Sequence, residues 1–132
     1  MIYFVSGHRN LSYEDFEKYY IPVIDKVIRT EGDNAEFIMG DCEGVDKFAM
    51  DYIFSKDICH VTIYHMFTKP RNTPEATTRI LLDIVDFRGG FKSDEDRDSA
   101  MTRDSDFDIA FIKDNRWDSG TAQNIKRRYN LK

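Results

Sequence analysis

The sequence predicts an α/β domain in three layers, with a mostly parallel sheet between two layers of helices. Three observations carry this prediction. Short apolar and aromatic runs alternate with longer segments whose apolar residues recur at helical spacing. Most of the runs end at small or polar residues, where a strand hands over to a loop. With 132 residues, 41% of them hydrophobic, the chain has the size and apolar content of one domain spanning 1–132. Strands separated by helices imply right-handed crossovers, which cover both faces of a sheet.

The elements follow in order. "IYFVSG", 2–7, is a buried strand closed by Gly7. In 11–32, Ser12 is placed to cap a helix with Asp15 in its first turn. Phe16, Tyr19, Tyr20, Val23, Ile24, Val27 and Ile28 form its apolar stripe. Pro22 either kinks this helix or restarts it as the first residue of a second one, and Gly32 ends it. "AEFIMG" is the second strand, "GVDKFAMDYIFSK" the next helix and "HVTIYHM" the third strand. Residues 75–87 read as a short helix before the turn "RGG". Ser93, followed by acids, starts another helix. "FDIAFIK" is the fourth strand, and "SGTAQNIKRRYN" the last helix.

Composition excludes several functions. A net charge of −5 and a pI near 5.2 argue against broad nucleic-acid binding, which usually needs a basic face. The basic "IKRRYNLK" reads as a helix end carrying cations at the negative pole of its dipole. "MIYFVSG" is too short, and too soon broken by glycine, for a signal or membrane segment. Cys42 and Cys59 lack metal-type spacing, and His8, His60 and His65 are not spaced as a zinc set. The expectation is a reduced cytoplasmic protein without metal or cofactor.

In an open parallel sheet, ligands sit beyond the carboxyl ends of the strands. Three such junctions are rich in small or polar residues, "SGHRN", "GDCEGVD" and "DNRWDSGT", and they are expected to converge on one crevice. Gly7 permits close approach to the backbone, Arg9 can fork to a phosphate or carboxylate, and His8 can donate or titrate. Asp41 and Asp46 suit sugar hydroxyls or a base edge, although Asp46 can equally serve only to enrich a first helical turn. Ser119, Gly120 and Thr121 enter a helix with free N–H groups and hydroxyl donors, which suits phosphate. Trp117 or Tyr64 can stack on a base, or belong to the core. The chain has neither G-x-x-x-x-G-K-[ST] nor G-x-G-x-x-G, which disfavours a P-loop NTPase or an ordinary dinucleotide dehydrogenase. A nucleophilic Cys42 is disfavoured by its flanking acids.

Taken together and in order, "VSGHRN", "IMGDCEGVDKFAMDYI", "RDSAMTRDSDFDIAFI" and "SGTAQNI" resemble the SLOG superfamily. This Rossmann-like group includes the YpsA-type proteins, the DNA-processing DprA domain and the LOG phosphoribohydrolases. The small YpsA-like branch, frequent in bacterial and phage genomes, is nearest, and the DNA-binding extensions of DprA are missing. The resemblance implies a small-molecule ligand, a nucleotide or nucleotide derivative, against Gly7, Arg9, Gly40, Asp41, Gly44, Asp46, Gly120 and Thr121. It also implies a homo-oligomer, a dimer or higher, paired through helices.

The same resemblance bears on catalysis. LOG-type hydrolases and nucleoside deoxyribosyltransferases use a glutamate in the helix after the Gly-Thr pair, and here Asn124 stands at that position. An amide cannot be the carboxylate nucleophile. Arg97 with Met101 looks similar to a LOG arginine–methionine pair, so Arg97 is expected either to hold a phosphate or to pair with Asp94 or Asp98 on a solvated face. Two functions stay open: binding or sensing without turnover, and an N-glycosidic hydrolase or transferase in which Asp41, Asp46 or Asp118 supplies the carboxylate. An assembly protein with exposed aromatics such as Trp117 is a third.

Overall fold

A computed structural model describes residues 1–56, 60–73 and 85–130. Its strands are β1 (Ile2–Val5), β2 (Glu36–Met39), β3 (Val61–Met66), β4 (Asp86–Phe91) and β5 (Phe107–Ile109). The helices are α1 (Tyr13–Tyr19), α2 (Ile21–Glu31), α3 (Val45–Ser55), α4 (Asp94–Asp104) and α5 (Gly120–Asn130). The strands form one all-parallel sheet in the order β4-β3-β2-β1-β5, with helices on both faces. This is the Rossmann-like three-layer architecture expected from the sequence. None of the described helices is long and apolar enough to cross a membrane.

The period of two along each strand divides the core. Val5, Phe37, Met39, Val61, Ile63 and Ile109 join the cluster formed with α1, α2 and α3. Phe4, Ile38 and Tyr64 face the other way, against Ala100 and Met101 of α4. Full burial of each large apolar side chain contributes roughly 1.5–3 kcal/mol, so the sheet is held from both sides.

Local signals set the helix ends. Ser12 Oγ accepts from the Asp15 amide and Ser93 Oγ from the Asp96 amide, both at 3.1 Å, capping α1 and α4. Pro22 lies in the first turn of α2, where no intrahelical N–H is needed, so it restarts the helix after Tyr20. Gly32, at φ 56°, ends α2. The basic C-terminal segment has a more particular role. Arg128 donates to the Thr102 and Ser105 carbonyls at the end of α4 and pairs with Asp108, so its charge serves a neighbouring helix.

Two expectations need correction. "RGG" is not a turn, because Asp86–Phe91 is an edge strand paired to β3 with a register shift near Tyr64 and Met66. At an edge only one side of the strand is covered, so "DFRGGF" carries little of the apolar pattern of a buried parallel strand. The helix expected over 75–87 otherwise lies almost wholly outside the described residues, as does Cys59. The last strand is also shorter than "FDIAFIK", ending at Ile109. Beyond it the Phe111 amide donates to Tyr20 Oη at 2.9 Å instead of continuing the ladder.

Candidate functional site at the carboxyl edge of the sheet

The chain runs outward from β1 through β2 and β3 to β4, then returns to pair β5 with the other side of β1. That reversal separates the loops leaving β1 and β5, and a crevice opens at such a switch point. Tyr20 ties its floor together. Its hydroxyl donates to the Ser6 carbonyl at 2.8 Å and accepts from the Phe111 amide. The loops after β1 and β2 meet backbone to backbone, with the Val45 amide donating to the His8 carbonyl at 3.4 Å.

All three junctions reach one cavity of about 350 Å³. Gly7, His8, Arg9, Gly40, Asp46, Arg97, Ser119, Gly120, Thr121 and Asn124, each expected from the sequence, line it. Ser6, Asn10 and Arg116, which lie in the expected junctions but were not singled out, line it as well, as do Asp94 and Asp98, foreseen only as partners of Arg97. The signal for Ser6 was present in "VSG", but a hydroxyl at a strand end is too common to single out.

One wall has donors without acceptors. Ser119 Oγ accepts from the Ala122 amide at 3.2 Å and its carbonyl from Gln123, which caps α5. The Gly120 and Thr121 amides have no partner among the described residues, as the first turn of a helix requires. Thr121 is 5% exposed. Ser6 is equally buried, and its Oγ has no hydrogen-bond partner, a costly state unless a ligand or water satisfies it. Arg9 and Arg116 add positive charge at the rim.

The cavity also carries a group of acidic side chains built around Arg97. This guanidinium is 4% exposed, and it pairs with Asp41 at 2.9 Å, Asp98 at 3.0 Å and Asp94 at 3.2 Å. It therefore pairs with both Asp94 and Asp98, as one reading expected, but inside the protein and not on a solvated face. Gly40 makes room for it, because a Cβ there would lie 2.7 Å from Asp46 Oδ2 and 2.8 Å from Arg97 Cζ. Asp46 is buried and accepts from the Cys42 amide at 3.1 Å. Burial pushes its carboxyl up to about 7, against the opposing pull of Arg97. Burial likewise raises Asp98, which is bonded to Asn124. Asn124 in turn accepts from Arg127 at 2.5 Å. The Cys42 thiol is also raised, first by burial and then by Asp46, which makes it a poor nucleophile.

Several expected site residues act elsewhere. Asp41 is fully buried and does not line the cavity. It accepts from the Arg71 amide at 2.6 Å, the Arg71 side chain at 2.9 Å and Arg97. Burial alone would raise its carboxyl, but the Arg71 hydrogen bonds and the two guanidinium charges hold it below the usual range. Asp41 is thus a strut between loops. Gly44 caps α3 at φ 76°, where a Cβ would collide with the Arg9 carbonyl. Its glycine character serves loop packing. A Cβ on Gly7 would meet Tyr20 Oη and Val45 at 2.5 Å, so that glycine makes room for the core and not for a ligand. Asp118 is exposed and off the cavity wall. His8 Nε2 accepts from the Lys113 amide at 3.0 Å, and burial followed by Arg116 and Lys113 lowers its pKa. It braces the β1 loop against the β5 loop, and its surroundings disfavour the charged form. Tyr64 belongs to the core, bonded to Asp104 and stacked on Phe91. Trp117 is 56% exposed and lines neither cavity nor core.

Compared with known proteins, the chain matches no family model, and no curated protein or solved structure matches it either.

Proposed function

We propose that this chain binds a nucleotide or nucleotide-derived small molecule in the crevice between the β1, β2 and β5 loops. The observation that carries this reading is the division of one cavity into two chemistries. The unpartnered Gly120 and Thr121 amides share the cavity with the carboxyls of Asp46 and Asp98. Helix amides and hydroxyls suit a phosphate, while carboxyls suit sugar hydroxyls or base N–H groups. A volume of about 350 Å³ falls within the range of small-molecule pockets, roughly 300–1,000 Å³. The SLOG-like order of "VSGHRN", "GDCEGVD" and "SGTAQN" supports the same ligand class.

Thermal unfolding with a panel of nucleoside monophosphates, nucleoside diphosphates and ADP-ribose tests this reading. A ligand that binds only the folded state raises the melting temperature, and at least one member of the panel is expected to do so. No shift across the panel at millimolar concentration overturns the proposal.

A second reading rests on Asp46. A cavity carboxyl with a pKa near 7 can give or take a proton at neutral pH, which suits cleavage of an N-glycosidic bond. The amide of Asn124 supplies no carboxylate nucleophile, so binding without turnover is the better-supported function. Chromatography after prolonged incubation with the same panel separates the two: free base that vanishes in Asp46→Asn establishes turnover.

A further inference from the structure

Three guanidiniums converge on Asp94, the first residue of α4. Its Oδ2 accepts from Arg9 Nη2 at 2.9 Å, and its Oδ1 from Arg71 Nη2 at 2.8 Å, with Arg97 Nη1 3.2 Å away. These arginines come from three separate places, the loop after β1, the segment after β3 and helix α4. Arg71 and Arg97 are also held by Asp41. Arg9 has no other ion-pair partner among the described residues. Asp94 is 41% exposed, Arg9 55% and Arg71 38%.

Asp94 and Arg9 line the main cavity. A smaller cavity of about 230 Å³, lined by Arg9, Cys42, Glu43, Arg71 and Asn72, lies beside it and shares Arg9 and Cys42. The Asp94 carboxylate therefore sits where the two hollows adjoin. Asp94 is the one carboxylate that meets Arg9 among the described residues, whereas Arg71 and Arg97 share Asp41 and Arg97 also holds Asp98, so moving Asp94 away frees Arg9 fully and one edge of Arg71. The pairs with Arg9 and Arg71 are exposed and of the kind that bind weakly, and buried Arg97 keeps Asp41 and Asp98 when Asp94 turns to solvent.

We propose that Arg9, Arg71 and Arg97 form a second anion seat, which Asp94 occupies until a phosphoryl or carboxylate group of the ligand displaces it. This rests on the reading of the main cavity as a site for a phosphate-bearing ligand, and it narrows that ligand to one with two separated anionic groups. One group meets the α5 amides and the other meets the arginines. A ligand with a single anionic group, such as a nucleoside monophosphate, leaves the seat to Asp94.

Calorimetric titration with inorganic pyrophosphate at low ionic strength tests the seat without any nucleotide. Asp94→Asn removes the competing charge and is expected to tighten pyrophosphate by about tenfold, the scale of one charge-assisted contact. Adding Arg9→Ala to Asp94→Asn should abolish the gain. Asp96→Asn makes the same charge change on the same helical turn, away from the arginines, and should leave affinity near that of the unaltered chain. An unchanged affinity in Asp94→Asn, a gain that survives Arg9→Ala, or an equal gain in Asp96→Asn overturns the seat. Titration of the unaltered chain with AMP, ADP and ADP-ribose keeps the two ideas apart. Silence to AMP, ADP and ADP-ribose beside the expected pyrophosphate series sinks the nucleotide reading alone, and binding of any of them beside a flat series sinks the seat alone.

Discussion

Arg97 Nη1 donates to Asp41 Oδ1 at 2.9 Å, joining helix α4 to the loop after β2 with both side chains almost wholly buried. A buried pair adds little over an apolar substitute, but removing one partner leaves an uncompensated charge. Asp41→Ala is expected to lower unfolding free energy by about 3–5 kcal/mol. Asp118→Ala, at an exposed position, should stay within about 0.5 kcal/mol of the parent. Urea unfolding of both variants checks the contrast. Similar losses would remove the strut role given to Asp41.

The Tyr20 hydroxyl bridges the Ser6 carbonyl and the Phe111 amide, the two strand ends flanking the switch point. Tyr20→Phe keeps the ring stacked on Phe16 and deletes both bonds, leaving two buried backbone groups unsatisfied. A loss of about 1–3 kcal/mol per stranded group is expected, read as a lower urea midpoint at unchanged slope. A neutral result would mean that water replaces the hydroxyl.

Asp46 sets a pH dependence whose sign follows from its raised carboxyl. The folded protein holds this proton up to about pH 7, while the unfolded chain releases it near pH 4. Its contribution is therefore full below about pH 4 and is lost as pH rises to about 7. Asp41 and Asp94 are held low and act in the opposite sense, adding stability that is lost in acid. In Asp46→Asn the carboxyl no longer titrates. Its stability relative to the parent should rise between pH 4 and pH 8, by up to roughly 4 kcal/mol. A difference that is flat with pH contradicts the buried, protonated state.

Thr121→Ala removes a hydroxyl proposed to contact the phosphate and should weaken phosphate-bearing ligands by about 1–3 kcal/mol. The corresponding nucleoside without phosphate should be affected less. Competitive titration of a nucleoside and its monophosphate provides the comparison, and equal losses for both would show that the phosphate does not meet this residue.

Much of this was legible in the chain because local rules and the fold agree. Ser12, Pro22, Gly32 and Ser93 mark helix ends by their own backbone chemistry, and a parallel sheet dictates which strand ends face the crevice. Edge strand β4 escaped because "DFRGGF" carries two glycines and two charges where a buried strand carries apolar residues. The role of Asp41 escaped for another reason. Its partners Arg71 and Arg97 lie 30 and 56 positions away, and nothing local distinguishes an acid that binds a ligand from one that binds two arginines. Gly7 was read as a place where a ligand approaches the backbone and Gly44 as part of the ligand wall, but what approaches them is the protein's own Tyr20, Val45 and Arg9. Asp94 and Asp98 were read only as partners of Arg97, because a run of acids at a helix start is ordinary.

On the proposed function, a phosphate-bearing ligand lies against the start of α5. Titration of the isotope-labelled protein with AMP, ADP and ADP-ribose in turn, followed by amide NMR, tests it most directly. Saturable shifts are expected at Ser6, Gly7, Gly40, Gly120 and Thr121, with Asp118 and the β4 amides unmoved. Saturable shifts that spare Gly120 and Thr121, or none with AMP, ADP and ADP-ribose at millimolar concentration, would contradict it.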